Sequence, residues 1–276
     1  MRRRPSNVLA SLFTTLSLYC GVFSIFTSIA GQAERAVYLI LLALVFDTLD
    51  GSVARLTKSV SEFGKELDSL CDLVAFGVAP AVLMVTTVGP QDAATGGAPG
   101  RLNAVLAILF VICGALRLAR FNVYQSEERQ IFTGLPIPAA GGTMATFVLW
   151  ARHLQLEGSI WLLEPLALGL SYLMVSSIRY PKDKLKLFVL APQHAFRTLA
   201  VCGATIALFH YAWTRSPAIV LFPVGMAYVL FGILYELVTF LGGKRVLPGG
   251  EPRNKPHERS PSSEGEKTSA KIAERL

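Results

Sequence analysis

The sequence predicts an all-α protein, a polytopic transmembrane bundle of about eight helices, and three observations carry that expectation. Hydrophobic residues make up 52% of the chain and charged residues only 16%, with a mean hydropathy of +0.48. A water-soluble domain carries a much larger charged share, so this composition belongs to a chain whose main solvent is lipid. The apolar residues also fall into runs of roughly 20, the length that crosses a bilayer. Finally, the basic residues between those runs are unevenly distributed, which is how a membrane protein encodes its orientation.

The elements follow in order. After the basic opening MRRRPSN comes VLASLFTTLSLYCGVFSIFTSIAG. Ser28-Ile29-Ala30 resembles a small-x-small cleavage site. However, the apolar run exceeds the roughly 7 to 15 residues of a signal h-region, so it is read as the first transmembrane helix. Further spans are expected at about 36–56, 66–88, 102–121, 138–153, 159–178, 195–213 and 217–241. The small, polar stretch Gly89 to Gly100 reads as a connecting loop. From Lys244 the chain turns polar and rich in Pro, Ser and charge. The expected organisation is therefore a membrane domain over 1–243 and a disordered cytoplasmic tail over 244–276.

Charge sets the topology. With the N-terminus in the cytoplasm, only Arg35, Arg101, Arg152 and Arg215 of the 26 basic residues face the other side. The positive-inside rule thus places both termini on the cytoplasmic side of the cell membrane. The net charge of +7 comes from short juxtamembrane segments, which orient the chain and attract anionic lipid; nucleic acid is not an expected partner.

The stretch from Asp47 to Asp72, DTLDGSVARLTKSVSEFGKELDSLCD, lies between two apolar spans. Carboxylates beside hydrocarbon cost several kcal/mol, so such a cluster marks a functional site. Asp47 and Asp50 are three residues apart and Asp68 and Asp72 four, so each pair shares a helix face. Two such faces opposed would gather four carboxylates, a repulsive set that hard divalent cations neutralise. Mg²⁺ or Mn²⁺ would take these oxygens together with substrate phosphate. Between the pairs, Gly51 and Ala54 leave a groove one turn long, and Arg55 offers a planar fork for phosphate.

Elsewhere the chemistry is sparse. Cys20, Cys71, Cys113 and Cys202 stand alone in apolar runs and read as buried free thiols; the four histidines are scattered. GALRLARFNV places Arg117 and Arg120 close to one helix face, suited to a diphosphate or a carboxylate. GLPIPAAGG carries two prolines at a helix start, and SYLMVSSIRYPKDK ends a helix in a cationic cluster containing Arg179.

Asp47, Asp50, Gly51, Ala54, Arg55, Gly64, Asp68 and Asp72 reproduce the pattern D-x2-D-G-x2-A-R-x8-G-x3-D-x3-D. In this the chain resembles the CDP-alcohol phosphotransferase family, integral membrane enzymes that move a substituted phosphate from a CDP-linked donor to an alcohol and release CMP. The resemblance implies metal ligation by Asp47, Asp50, Asp68 and Asp72, with Asp72 as general base. It also implies a CDP-binding role for Gly51, Ala54, Arg55 and Gly64, and a homodimer. A looser resemblance, from about residue 5 to 240 and including RLARFNV, GLPIPAA and the LMVSSIRYP segment, is to the membrane-embedded phosphatidylserine synthases of that family. It implies CDP-diacylglycerol as donor, L-serine as acceptor, and Arg117, Arg120 or Arg179 as the grip on acceptor or phosphate. Glycerol 3-phosphate or inositol phosphate as acceptor would share every residue of the pattern. A transporter with intramembrane carboxylates is the competing class, but it has no need for the Gly-x2-Ala-Arg insert.

Overall fold

The computed structural model describes residues 5–57, 62–94, 100–124, 134–155, 157–176, 178 and 217–241. Among these every regular element is helical. The helices are α1 (Pro5–Ile29), α2 (Ala33–Thr57), α3 (Glu62–Asp72), α4 (Ala79–Ala94), α5 (Gly100–Tyr124), α6 (Ile137–His153), α7 (Leu163–Val175) and α8 (Pro217–Leu241). A π-helical turn, Leu73–Val78, joins α3 to α4, and a 3₁₀ turn, Glu157–Leu162, precedes α7.

Among the described residues, five segments are long and apolar enough to cross a membrane: Ser11–Ile29, Ala33–Val53, Glu62–Gly89, Leu102–Val123 and Val220–Val238. α6 lies where the short span at about 138–153 was expected, and α7 lies within the span expected at about 159–178 but is shorter, its apolar stretch Ile160–Val175 falling below the length that crosses a bilayer. The span expected at about 195–213 and the tail at 244–276 lie outside the described residues. The connection expected from Gly89 to Gly100 begins later than the sequence suggested, because α4 continues to Ala94. Small polar residues weaken a helix but do not end it without a cap or a proline at the right place.

Packing follows the stripes. On α1 the buried residues Thr14, Ser17, Ser24 and Ser28 recur at helical spacing and turn toward α2. Ser17 Oγ donates to the Ala43 carbonyl at 3.1 Å and Ser24 Oγ to the Ala36 carbonyl at 2.9 Å. Lipid offers no hydrophobic force between helices, so small hydroxyls and close backbones hold such pairs together.

The π turn is where the other helices converge. Pro80 has no N–H, and its ring would collide with the Phe76 carbonyl in a regular α-helix. The chain relieves this by widening: the Ala79 N–H bonds to the Val74 carbonyl, five residues back. Ala75, Phe76 and Gly77 in this turn are fully buried. A methyl on Gly21 of α1 would come within 2.7 Å of Ala75 Cα, and one on Gly141 of α6 within 2.4 Å of the Phe76 carbonyl oxygen. Two helices thus lie with bare backbone against the residues that follow Asp72.

The segment before α6 is similarly tied down. Gly134 has φ +85, a conformation that favours glycine, and its N–H donates to the Ile178 carbonyl at 2.8 Å. Leu135 N–H donates to the Leu173 carbonyl at 3.0 Å, and Pro136 and Pro138 open α6. These are the prolines expected at a helix start. On α8, Gly225 would place a methyl 2.8 Å from Thr143 Oγ1, and the Phe222 ring meets Phe147 and Trp150 at 5.1 and 5.2 Å. The compact unit containing all these contacts runs from Met1 to Glu236, and a second unit begins at Leu237.

Candidate active site

The last turns of α2 and the length of α3 form the site. Asp47 and Asp50 project from α2, and Asp68 and Asp72 from α3, all within segments long and apolar enough to cross a membrane. Carboxylate oxygens of Asp47, Asp68 and Asp72 lie within 4.8 Å of one another. Asp47 and Asp72 approach to hydrogen-bonding range. All three are half-buried.

Asp50 does not join this trio. It is 6% exposed, and its Oδ2 accepts a hydrogen bond from Thr14 Oγ1 of α1. The expected meeting of four carboxylates is therefore a meeting of three, with the fourth one turn along α2 and held by a neighbouring helix. The donor set fits a hard divalent cation: oxygen ligands only, converging from two helices. Three carboxylates at this separation repel strongly unless a positive charge lies among them.

The remaining residues of the pattern separate. Gly51 is exposed, and a methyl there would meet nothing within 4 Å, so the floor beside the carboxylates is open. Gly64 is half-buried in α3, two turns from Asp72. Ala54 and Arg55 belong to α2, but their side chains lie outside the described residues, as does Arg179.

Arg117 and Arg120, three residues apart on α5, do different things. Arg120 Nη2 donates to the Val175 carbonyl at 2.6 Å, satisfying one of the carbonyls that a helix end leaves without a partner. Arg117 points inward, with its guanidinium 5.8 Å from the centre of the Phe121 ring and within electrostatic reach of Asp72. Its Nε is buried without a hydrogen-bond partner.

Four participants were not foreseen. Thr14 reaches Asp50. Asn122, just after the two arginines, donates from Nδ2 to Ser69 Oγ at 3.0 Å and to Glu66 Oε2 at 3.3 Å, pinning α5 to the aspartate helix. Tyr228 of α8 lies within electrostatic reach of Arg117. The π turn directly after Asp72 sets where that side chain points. For Asn122 a signal was present, since a polar amide ending an apolar helix beside two arginines has to bond somewhere. Thr14 and Tyr228 gave none, because each matters only through a helix distant in sequence. Cys20, Cys71 and Cys113 are buried free thiols, as expected; Cys202 lies outside the described residues.

Among the described residues the fold is all-helical, with apolar helices long enough to cross a membrane and a carboxylate trio that could hold a metal ion, the class of an integral membrane transferase. The family model described as CDP-alcohol phosphatidyltransferase matches residues 7–177, and the chain belongs to that family. A CDP-diacylglycerol--serine O-phosphatidyltransferase of Helicobacter pylori is 43% identical over 197 residues, covering 67% of this chain and 79% of the relative. An archaetidylserine synthase of Methanothermobacter thermautotrophicus is 40% identical over 176 residues, 63% of this chain and 70% of the relative. A CDP-diacylglycerol--serine O-phosphatidyltransferase of Mycobacterium leprae is 34% identical over 239 residues, 82% and 74%.

Proposed function

We propose that this chain transfers the phosphatidyl group of CDP-diacylglycerol to the hydroxyl of L-serine, giving phosphatidylserine and CMP. The observation that carries the reading is the shared serine-transferase name of relatives aligned over most of the chain, from bacteria and an archaeon alike. Those names favour serine over glycerol 3-phosphate or inositol phosphate.

In this reading Asp47, Asp68 and Asp72 hold Mg²⁺ or Mn²⁺, with Asp50 as the fourth carboxylate within a turn. The bound ion would neutralise the diphosphate of the donor and the departing CMP. Asp72 takes the proton of the serine hydroxyl as its oxygen attacks the phosphorus that carries diacylglycerol. An O–P bond to serine forms, the P–O bond to CMP breaks, and no covalent enzyme intermediate is needed. Gly51, Ala54 and Gly64 leave room for the cytidine, and Arg55 steadies the diphosphate. The acyl chains remain in lipid while the headgroup meets water. The site therefore belongs at the cytoplasmic face of the inner membrane, with both termini on that side. Residues 1–243 form the catalytic domain and 244–276 a cytoplasmic tail, and the enzyme works as a homodimer.

The test is CMP release by the full-length chain in detergent with CDP-diacylglycerol and Mn²⁺ or Mg²⁺. L-Serine, glycerol 3-phosphate, inositol phosphate and choline are added separately. Release with serine alone, abolished by EDTA, is the expected result; release with another alcohol instead would overturn the acceptor.

A further inference from the structure

α3 carries Asp68 and Asp72, yet it is thinly packed: of its eleven residues only Cys71 is buried. Its aspartates also push it away from α2, because carboxylates within 4.8 Å of one another repel until a cation lies among them. Between apolar helices in lipid, polar contacts across the interface do much of the holding. A helix so placed needs a polar tie.

Asn122 of α5 supplies one. Its Nδ2 donates to Ser69 Oγ at 3.0 Å and to Glu66 Oε2 at 3.3 Å. An amide nitrogen has two protons, and both are spent on α3. Ser69 then gives its own proton to the Lys65 carbonyl at 3.1 Å, a shorter contact than the 3.3 Å to Asn122 Oδ1, so each of these protons has an acceptor.

The grip falls beside the ligands. Glu66 and Ser69 are three residues apart and share a face of α3. Around that helix Ser69 stands about 100° from Asp68 and about 60° from Asp72. Two bonds spread over one turn resist rotation of the helix, which a single bond would allow. The other end of the tie is fixed as well. Two residues before Asn122, Arg120 Nη2 donates to the Val175 carbonyl at 2.6 Å and fastens the end of α5 to α7.

We propose that Asn122 is a positioning residue for the metal trio: by donating both amide protons to α3 it fixes the rotation of that helix and holds Asp68 and Asp72 against Asp47. This rests on the reading of the trio as a divalent-cation site and not on the identity of the acceptor. Asparagine suits the task because it is neutral and offers two donors from one atom. Aspartate has the same shape, cannot donate when ionised, and would face Glu66 with a like charge.

The experiment is direct Mn²⁺ binding to the full-length chain in detergent, read from the EPR signal of the free ion, beside CMP release. Asn122→Asp should weaken Mn²⁺ binding by about tenfold, the lower end of what a lost supporting contact costs a metal site. An added negative charge would by itself tighten a cation site, so the sign separates positioning from field. Glu66→Gln in the same chain restores the total charge and a donor, and should bring binding back to within about threefold of wild type. Glu66→Gln alone should change it by less than about threefold, since Asn122 still finds an acceptor there. If Asn122→Asp does not fold, Ser69→Ala decides, with an expected weakening of about threefold. Unchanged or tighter binding in Asn122→Asp, or a loss that Glu66→Gln does not reverse, overturns the proposal and leaves the metal reading intact. A wild type that binds no Mn²⁺ overturns the metal reading and this one with it.

Discussion

Asp50 and Asp72 hold matching places, each the last aspartate of its helix's pair, and their surroundings differ. Asp72 runs directly into the π turn, whose backbone is pressed by Gly21 of α1 and Gly141 of α6. Asp50 is followed by Gly51, which faces open space, and its own carboxylate is held by the hydroxyl of Thr14. One wall of the site thus runs straight into the packed core, and the other sets a buried, hydrogen-bonded carboxylate beside a glycine that faces open space. The proposed reaction, which fixes a proton acceptor and admits a lipid-linked nucleotide, would use both kinds of wall, and the difference can be tested from each side.

The largest effect is expected at the anchored wall. Asp72→Asn removes the proposed proton acceptor and one member of the trio, and kcat should fall by about 10²- to 10⁴-fold. A variant retaining near-wild-type CMP release would move the role of base to another carboxylate. Next, Gly141→Val presses a side chain against the Phe76 carbonyl and should destabilise the protein by about 1–3 kcal/mol through overpacking. The readout is a shortened half-life of monodisperse protein on heating in detergent, and an unchanged half-life would show that the turn is not held by this contact.

Smaller effects belong to the open wall. Thr14→Val frees the Asp50 carboxylate from its partner, and the Mn²⁺ concentration giving half-maximal CMP release should rise by about tenfold, typical of losing a group that orients a ligand. If that concentration does not move, Thr14 has no part in positioning Asp50 for metal. The smallest change is expected for Gly51→Ala. With nothing within 4 Å of the new methyl, stability should stay within about 0.5 kcal/mol, while the KM for CDP-diacylglycerol rises because the groove is narrowed. A large loss of stability there would mean that the open wall is packed after all.

Much of this was legible in the sequence. Of the eight spans expected from the long apolar runs, five recur at full length among the described residues, because hydropathy and bilayer thickness act locally, residue by residue. Asp47, Asp68 and Asp72 were legible for the same reason: helical spacing fixes a face, and charge in lipid demands a purpose. The fate of Asp50 was hidden, because whether a carboxylate turns to its own neighbours or to another helix depends on contacts across 36 residues. So was the division of labour between Arg117 and Arg120, which is decided by where α7 ends. The π turn had a local cause in Pro80, but its effect appears only once Gly21 and Gly141 are seen against it.

That turn has a further consequence in the rotational phase of the chain. An α-helix advances about 100° per residue, so closing a ring over five residues rather than four shifts everything before it relative to everything after it. α4 is oriented by its own apolar contacts, and α3 inherits an offset from it. Were the same residues to run on in regular α geometry with none removed, Asp68 and Asp72 would swing round by about a quarter turn relative to α4, away from Asp47, whereas deleting one residue as well would restore their phase. The aspartates and the membrane-buried half of this span are therefore written in two different helical frames, and the protein's site exists only where the two are joined out of step.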